Sequence, residues 1–345
     1  MTKYLSKLLW LSIITKIIVI NGNPLTNLEE NIDSFIIEEK QIVIPGYPGA
    51  FNPSIIRWED GRLLLIFRVR DPLTRSTHLM GFVWLNEDFE LEGDPILLTI
   101  YGDRPLKISK AQDPRLIKSG DYYYIAYNNI LNDNDLETRR MVICPLNYQD
   151  GRFFIVAPDY ILSFVGDSKN WIEKNWAPFD YKGELHFSYS FNPHRVFKLS
   201  EQKNKCDTVA VSKANINWKW GELRGGTPSL LDGDHYLGFF HSFINMKSVQ
   251  SNGEKISHYF MGAYLFESKY PFALTHISPK PIIGHTFYTP PDYPTWKPLR
   301  AIFPSGFVFN DDFIWVVYGR QDHECWVVKL DKKSLMNSLL PVLND

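Results

Sequence analysis

The chain has 345 residues, a formal net charge of −2 and an isoelectric point near 6.5, which removes the electrostatic case for nucleic acid or an acidic membrane surface as its main partner. Cys144, Cys206 and Cys325 are odd in number and far apart, so they form neither a metal spacing nor a disulfide framework and read as small buried hydrophobes. The aromatic share of 15% is high and goes with strands and sugar-stacking surfaces, and closed all-β folds commonly reach this length as one domain.

Residues 1–22 carry Lys3 and Lys7 and then two apolar runs, Leu8–Ile14 and Ile17–Ile20, split by Thr15 and Lys16. A basic start followed by a short apolar segment reads as a signal peptide or leader, and favours a secreted or periplasmic protein over a cytoplasmic one. No later run approaches the ~18 residues needed to span a bilayer, so no membrane span is expected beyond that leader. Residues 23–345 are read as one domain, opening with the polar, acidic lead-in at 23–40.

From there one pattern recurs. Asn52-Pro53, Asp113-Pro114, Ala177-Pro178, Thr227-Pro228 and Phe303-Pro304 each lead through a turn rich in Gly, Asp or Asn into an aromatic and β-branched strand. The prolines are spaced 61, 64, 50 and 76 residues apart. Self-similarity at such a period is the signature of a propeller or array, and five copies predict an all-β, five-bladed β-propeller. A proline after Asp113 biases that aspartate towards an extended conformation. Between the repeats, Asn132–Arg140 reads as a charged loop and Met246–Lys255 as the most flexible one. Gly284–Pro298 is rich in proline and aromatics and accounts for the longest gap. The one expected helix is Lys332–Leu340.

Strand ends near a propeller axis rim a funnel where ligands bind. Of the five equivalent corners, only Asp113 is acidic, and Gln112 and Arg115 flank it in a polar setting suited to a proton donor. The same residue could equally cap a turn through its own backbone. Other repeat ends supply Arg68, Arg70, Lys174, Arg195, Arg224 and His241. One acid among many cations suits an anionic nucleophile or leaving group such as phosphate better than a two-carboxylate hydrolase.

The tetrad Gln112-Asp113-Pro114-Arg115 resembles the EDPR motif of glycoside hydrolase family 130, the β-mannoside phosphorylases and related β-mannosidases. Asn52-Pro53 with Phe67-Arg68, Tyr236–His241, Tyr259–Glu267 and Phe303–Asp322 resemble further blocks of that family, in order, over roughly residues 50–330. The resemblance implies a five-bladed propeller that transfers a glycosyl unit to or from phosphate with inversion. It makes Asp113 the general acid and Lys174, Arg195, His241 and Tyr259 the phosphate cradle. Asn52, Arg68 and Asp322 would contact sugar, with Arg115 and Arg224 beside them in the substrate-binding set. It implies no metal and no cofactor, an oligosaccharide or glycan substrate, and a phosphate, sugar phosphate or sugar nucleotide as co-substrate, and it leaves a homo-oligomer open. The mannosyltransferases of glycosyltransferase family 108 are similar in the same way. Gln112 stands where that family has Glu, and the blocks Glu173–Trp176 and Arg224–Pro228 also differ, which marks a divergent branch.

Three functions fit this reading: glycosyl transfer involving phosphate or a phosphorylated donor; inverting β-mannoside hydrolysis with Glu173, Asp180 or Asp322 as second acid; and a non-catalytic sugar-binding propeller.

Overall fold

The computed structural model describes residues 25–70, 78–101, 111–132, 135–156, 160–167, 172–202 and 204–344. The leader assigned to residues 1–22 lies outside them. Among the described residues the fold is nearly all-β, with a single helix at Lys332–Ser338 where one was expected. Asp331 caps that helix by accepting a hydrogen bond from the Ser334 amide. Among the described residues, no helix is long and apolar enough to cross a membrane.

The strands follow one another as antiparallel meanders. The first comprises Phe51–Arg57, Leu63–Arg70, His78–Leu85 and Leu91–Leu97. Gln112–Ser119, Tyr122–Asn132, Asp135–Gln149 and Arg152–Val156 make the second. Ala177–Tyr181, Glu184–Phe191, His194–Leu199 and Lys205–Ser212 make the third. Most of the remaining strands form one ten-stranded sheet, in which His235–Met246 and Ile256–Glu267 join Leu299–Asn310, Phe313–Arg320 and Glu324–Asp331 through a short parallel contact, Ser257–Tyr259 with Leu299–Ala301. Its outer edge is completed by Ile36–Ile42, which pairs antiparallel with Glu324–Asp331.

The continuous apolar runs have a simple cause. A strand buried on both faces sends alternate side chains to opposite neighbours, so both sets must be apolar. Leu63, Leu65 and Phe67 pack with Val308, Val317 and Val327, whereas Leu64 and Ile66 pack with Leu116, Ile125 and Val142. Tyr124 and Ala126 turn the other way, onto Phe187 and Phe197. Phe179 and Val196 then meet Phe240 and Tyr264, and Phe239 and Phe260 meet Ile302 and Val316. Each meander therefore buries one face on the next, and the last packs back onto the first. All three cysteines lie in these layers, buried and unpaired with each other.

One expectation about a loop changes. The described part of Asn132–Arg140 is strand rather than loop: Asn129↔Arg140, Ile130↔Arg139 and Asn132↔Asp135 pair within a long hairpin. The Met246–Lys255 connection is closed by hydrogen bonds, Ser251 N to Ser248 Oγ at 3.0 Å and Ser248 Oγ to His258 Nε2 at 2.8 Å.

Candidate active site

Four of the five X-Pro corners lie within or at the start of a strand, Thr227-Pro228 lies between the short strands Arg224–Gly225 and Leu230–Asp232, and two of the corners meet. Asn52 Nδ2 donates to Asp113 Oδ1 at 2.8 Å. Both residues sit in β-bulges, where register slips between Phe51 and Ser54 and between Gln112 and Arg115. Their φ values are +47° and +56°. Asp113 is thus left-handed rather than extended, the reverse of what its following proline predicts. The bulge overrides the local bias and re-aims the side chain away from the ladder, at a cost of the order of 1–3 kcal/mol for such a backbone. Asn and Asp tolerate this region best among non-glycine residues.

The re-aimed carboxylate is buried among donors. Arg68 Nη1 lies 2.7 Å from Oδ1, and Asn128 Nδ2 lies 3.4 Å from Oδ2. Burial alone would raise the Asp113 pKa. Arg68, Asn52, Arg115 and Lys174 overturn that and hold the carboxyl well below the usual carboxylate range. Asp113 is therefore an anion at neutral pH. Arg68 is itself fixed, with Nε donating to His78 Nδ1 at 3.0 Å. Burial and then Arg68 push the His78 pKa down to about 2, so the ring is neutral and accepts.

These groups floor a cleft of ≈ 460 Å³. Its walls carry six Arg or Lys side chains (Arg68, Arg70, Arg139, Lys174, Arg224 and Lys297) against two carboxylates, Asp113 and Asp322. Asn175 and Asp322, on its rim, also have positive φ. His241 and Tyr259 form one wall with rings near-parallel at 6.4 Å. His241 is buried beside Arg115, Arg224 and Lys174, which with desolvation hold it neutral, and its Nδ1 has no hydrogen-bond partner. Lys174 reaches into the open cleft, yet desolvation by the surrounding walls lowers its pKa, as do Arg224, Arg139 and Arg68, partly offset by Asp113. Arg224 stacks over Phe243 at 4.9 Å and pairs with Glu222 at 3.0 Å.

The structure thus brings Asn52, Arg68, Asp113, Lys174, Arg224, His241, Tyr259 and Asp322 to one cleft. Arg115 and Arg195 are placed elsewhere. Arg115 is fully buried beneath the cleft, where it donates to the carbonyls of Gly226, Gly225 and Asp113 at 2.5, 3.1 and 3.1 Å. It has no surface to offer a sugar, and it braces the corner from below. Gly225 allows the close approach, since a Cβ there would stand 2.2 Å from the Asn175 carbonyl. Arg195 stands outside the lining, its guanidinium over the Tyr189 ring at 5.7 Å.

Two carboxylates proposed from sequence as a second acid are also outside. Glu173 accepts from Trp176 Nε1 at 3.0 Å and Tyr189 OH at 3.3 Å, and burial raises its pKa. Asp180 accepts from Ser119 Oγ at 2.7 Å and from the Gly120 and Gly183 amides, which is a turn-holding role. Sequence reasoning missed His78, Arg139, Trp296 and Lys297. Arg139 could have been found as the counterpart, at the end of the second meander's long hairpin, of the basic Arg68/Arg70 pair.

No family model matches the sequence. β-Mannosyltransferase 2 of Komagataella phaffii is 32% identical over 136 residues, 36% of this chain. The chain matches only 19% of that relative's length. Among solved structures, similarity extends over most of the chain. One neighbour belongs to the GH130 family of mannoside phosphorylases, which contains hydrolases that target β-1,2 mannosidic linkages in Candida mannan; its TM-score is 0.57 at 15% identity, covering 90% of this chain and 95% of the other. A mannose phosphorylase from Leishmania mexicana, solved with a phosphate ion, gives a TM-score of 0.57 at 12% identity, covering 90% and 92%. The chain shares the fold of the GH130 member among these structures, and the resemblance first carried by the motifs around Asn52, Asp113 and Phe303 is borne out at that level.

Proposed function

We propose that the chain is a five-bladed β-propeller, residues 23–345, that transfers a mannosyl unit between a phosphorylated donor and a hydroxyl acceptor, with inversion. The observation that carries this is the charge of the cleft: six cations against two carboxylates, one of them the ionised Asp113. Such a wall recognises an anion through charge-assisted hydrogen bonds. The five successive X-Pro strands, and meanders that pack in sequence back to the first, support the blade count.

In the transfer direction the bond from the anomeric carbon to the donor's phosphate oxygen breaks, and a bond to the acceptor oxygen forms on the opposite face. The departing phosphate keeps the bonding pair, and its charge is met by Lys174 and Arg224. The acceptor proton passes to the Asp113 carboxylate, directly or through a sugar hydroxyl. In the reverse direction phosphate attacks and Asp113 returns that proton to the glycosidic oxygen as general acid. An ionised Asp113 is ready for the first direction, and an anion seated beside Lys174 offsets the cations and raises its proton affinity. His241 and Tyr259 complete the anion wall in this reading, and Asn52, Arg68 and Asp322 face the sugar. The anion acts as co-substrate rather than as a resident cofactor.

Hydrolysis would need Asp322 as the water-activating base, because Glu173 and Asp180 are committed elsewhere. The deciding assay incubates the protein with mannose 1-phosphate or GDP-mannose and mannose-type acceptors, and with β-mannosides with and without phosphate. Asp113→Asn should abolish transfer while phosphate still binds. Product release from β-mannosides without phosphate, at the rate seen with it, would replace transfer by hydrolysis.

A further inference from the structure

A second cavity of ≈ 590 Å³ adjoins the Asp113 cleft and shares three of its walls, Arg70, Trp296 and Asp322. Both volumes fall in the range of small-ligand sites, about 300–1,000 Å³. The two differ in character. The second cavity is built from Tyr47, Pro48, Val69, Leu79 and Pro294, and beyond the shared walls it adds no Arg, Lys, Asp or Glu.

Trp296 stands at the waist between them. It is 55% exposed, and among the described residues no other tryptophan is classed as exposed. Its ring is not loose: Nε1 donates to Asp322 Oδ2 at 3.0 Å, and the Arg70 and Lys297 cations lie 5.6 and 4.4 Å from the ring. An apolar ring this exposed would normally be buried, and its orientation is set by a carboxylate that also lines the cleft. A second, independent observation lies deeper. Gln321 lines the cavity and is fully buried; its Oε1 accepts from the Ala301 amide at 3.1 Å, but Nε2 has no partner. An unpaired buried amide donor costs about 1–3 kcal/mol, so this wall holds a polar group that the protein itself leaves unsatisfied.

We infer that this cavity is the acceptor-end subsite, taking a neutral oligosaccharide whose sugar ring lies on Trp296. The inference rests on the transfer reading above. An apolar face with a few convergent polar groups suits a sugar ring, which presents C–H on one face and hydroxyls at its edge. With Arg70 as the one Arg or Lys in its lining, against six around the cleft, this cavity leaves the phosphate-bearing end to the cleft. The acceptor hydroxyl would then enter the cleft past Trp296 and meet Asp113.

The test is calorimetric titration of the full chain with neutral manno-oligosaccharides of two to four units, and separately with inorganic phosphate. Trp296→Ala should weaken the oligosaccharide at least tenfold and leave phosphate within twofold. Trp296→Phe, which keeps a ring but not the bond to Asp322, should stay within about threefold of wild type. In turnover, Trp296→Ala should raise KM for the acceptor by a larger factor than it lowers kcat at saturating acceptor. Wild-type oligosaccharide affinity in Trp296→Ala would overturn the inference, as would equal losses in Phe and Ala. If no phosphorylated donor is turned over, the binding arm still reads the subsite, so the two failures are distinguishable.

Discussion

Arg68→Met tests the electrostatic core of the site most directly. The Arg68–Asp113 pair is 2.7 Å apart with side chains 9% and 12% exposed. Removing one member of a buried pair leaves an uncompensated charge and costs about 3–5 kcal/mol. The variant has one escape, which is to protonate Asp113. From an ordinary carboxylate pKa near 4, that costs about 4 kcal/mol at pH 7, three units at about 1.36 kcal/mol each. Both routes give a loss of about 4 kcal/mol at neutral pH. In the wild type the folded-state pKa of Asp113 lies below the unfolded value, so its ionisation contributes stability that is present above about pH 4 and lost as the pH falls further. Without Arg68, burial is less opposed and the pKa moves up, so the variant loses stability as the pH rises. The gap between the two proteins should therefore be about 1–2 kcal/mol near pH 4, from lost hydrogen bonds, and widen to about 4 kcal/mol by pH 7. Urea unfolding of both proteins between about pH 4 and pH 8 measures it, with Asp113→Asn as the background in which the pH dependence should vanish. A gap below about 1 kcal/mol, or one flat with pH, would refute the reasoning.

Lys174→Met and Arg224→Met should each weaken inorganic phosphate about tenfold or more by calorimetry, the worth of a charge-assisted hydrogen bond, and unchanged affinity would remove that residue from the anion wall. Arg115→Met should cost about 3 kcal/mol or more in urea unfolding, because the Gly225, Gly226 and Asp113 carbonyls lose their donor. A loss near zero would show that the guanidinium is not the brace. Gly319→Ala places a Cβ 1.9 Å from Asn52 Oδ1 and must displace the side chain that orients Asp113. Its kcat should fall by about 10²-fold, as for a misplacement of about 1 Å, and wild-type turnover would show that Asn52 does not position the carboxylate.

The fold was legible because its repeat is written in chemistry that local structure demands: proline, turn residues, then strands apolar on both faces. The site was half legible. Asn52 and Asp113 stood out as equivalent corners, but nothing in the sequence announced the bulges, and the proline rule pointed the backbone the wrong way. Arg139 was hidden in a stretch charged enough to read as a loop. Trp296 and Lys297 lie in a segment without regular structure, where no periodicity marks which side chains turn inward. Arg115 misleads for the opposite reason: arginine is mostly a surface residue, and only tertiary contacts reveal one spent on carbonyls. Glu173 and Asp180 were plausible acids by type, and hydrogen bonds to Trp176, Tyr189 and a turn explain their presence instead.

The pairing of Ile36–Ile42 with Glu324–Asp331 has a consequence for how the protein comes into being. An open array of meanders could fold stepwise from its first strands, each unit stable on a neighbour. Here an early strand has to wait for nearly the whole chain before its partner exists, so the most distant contact is also a late one. Loop-closure entropy grows only slowly with length, so the cost falls on the rate more than on the final stability. Asn52, from the first meander, and Asp322, from the last, share one cleft. The candidate site is therefore assembled at the seam, and a chain cut before Glu324 would keep every residue of the cleft lining yet leave the early strand without its partner.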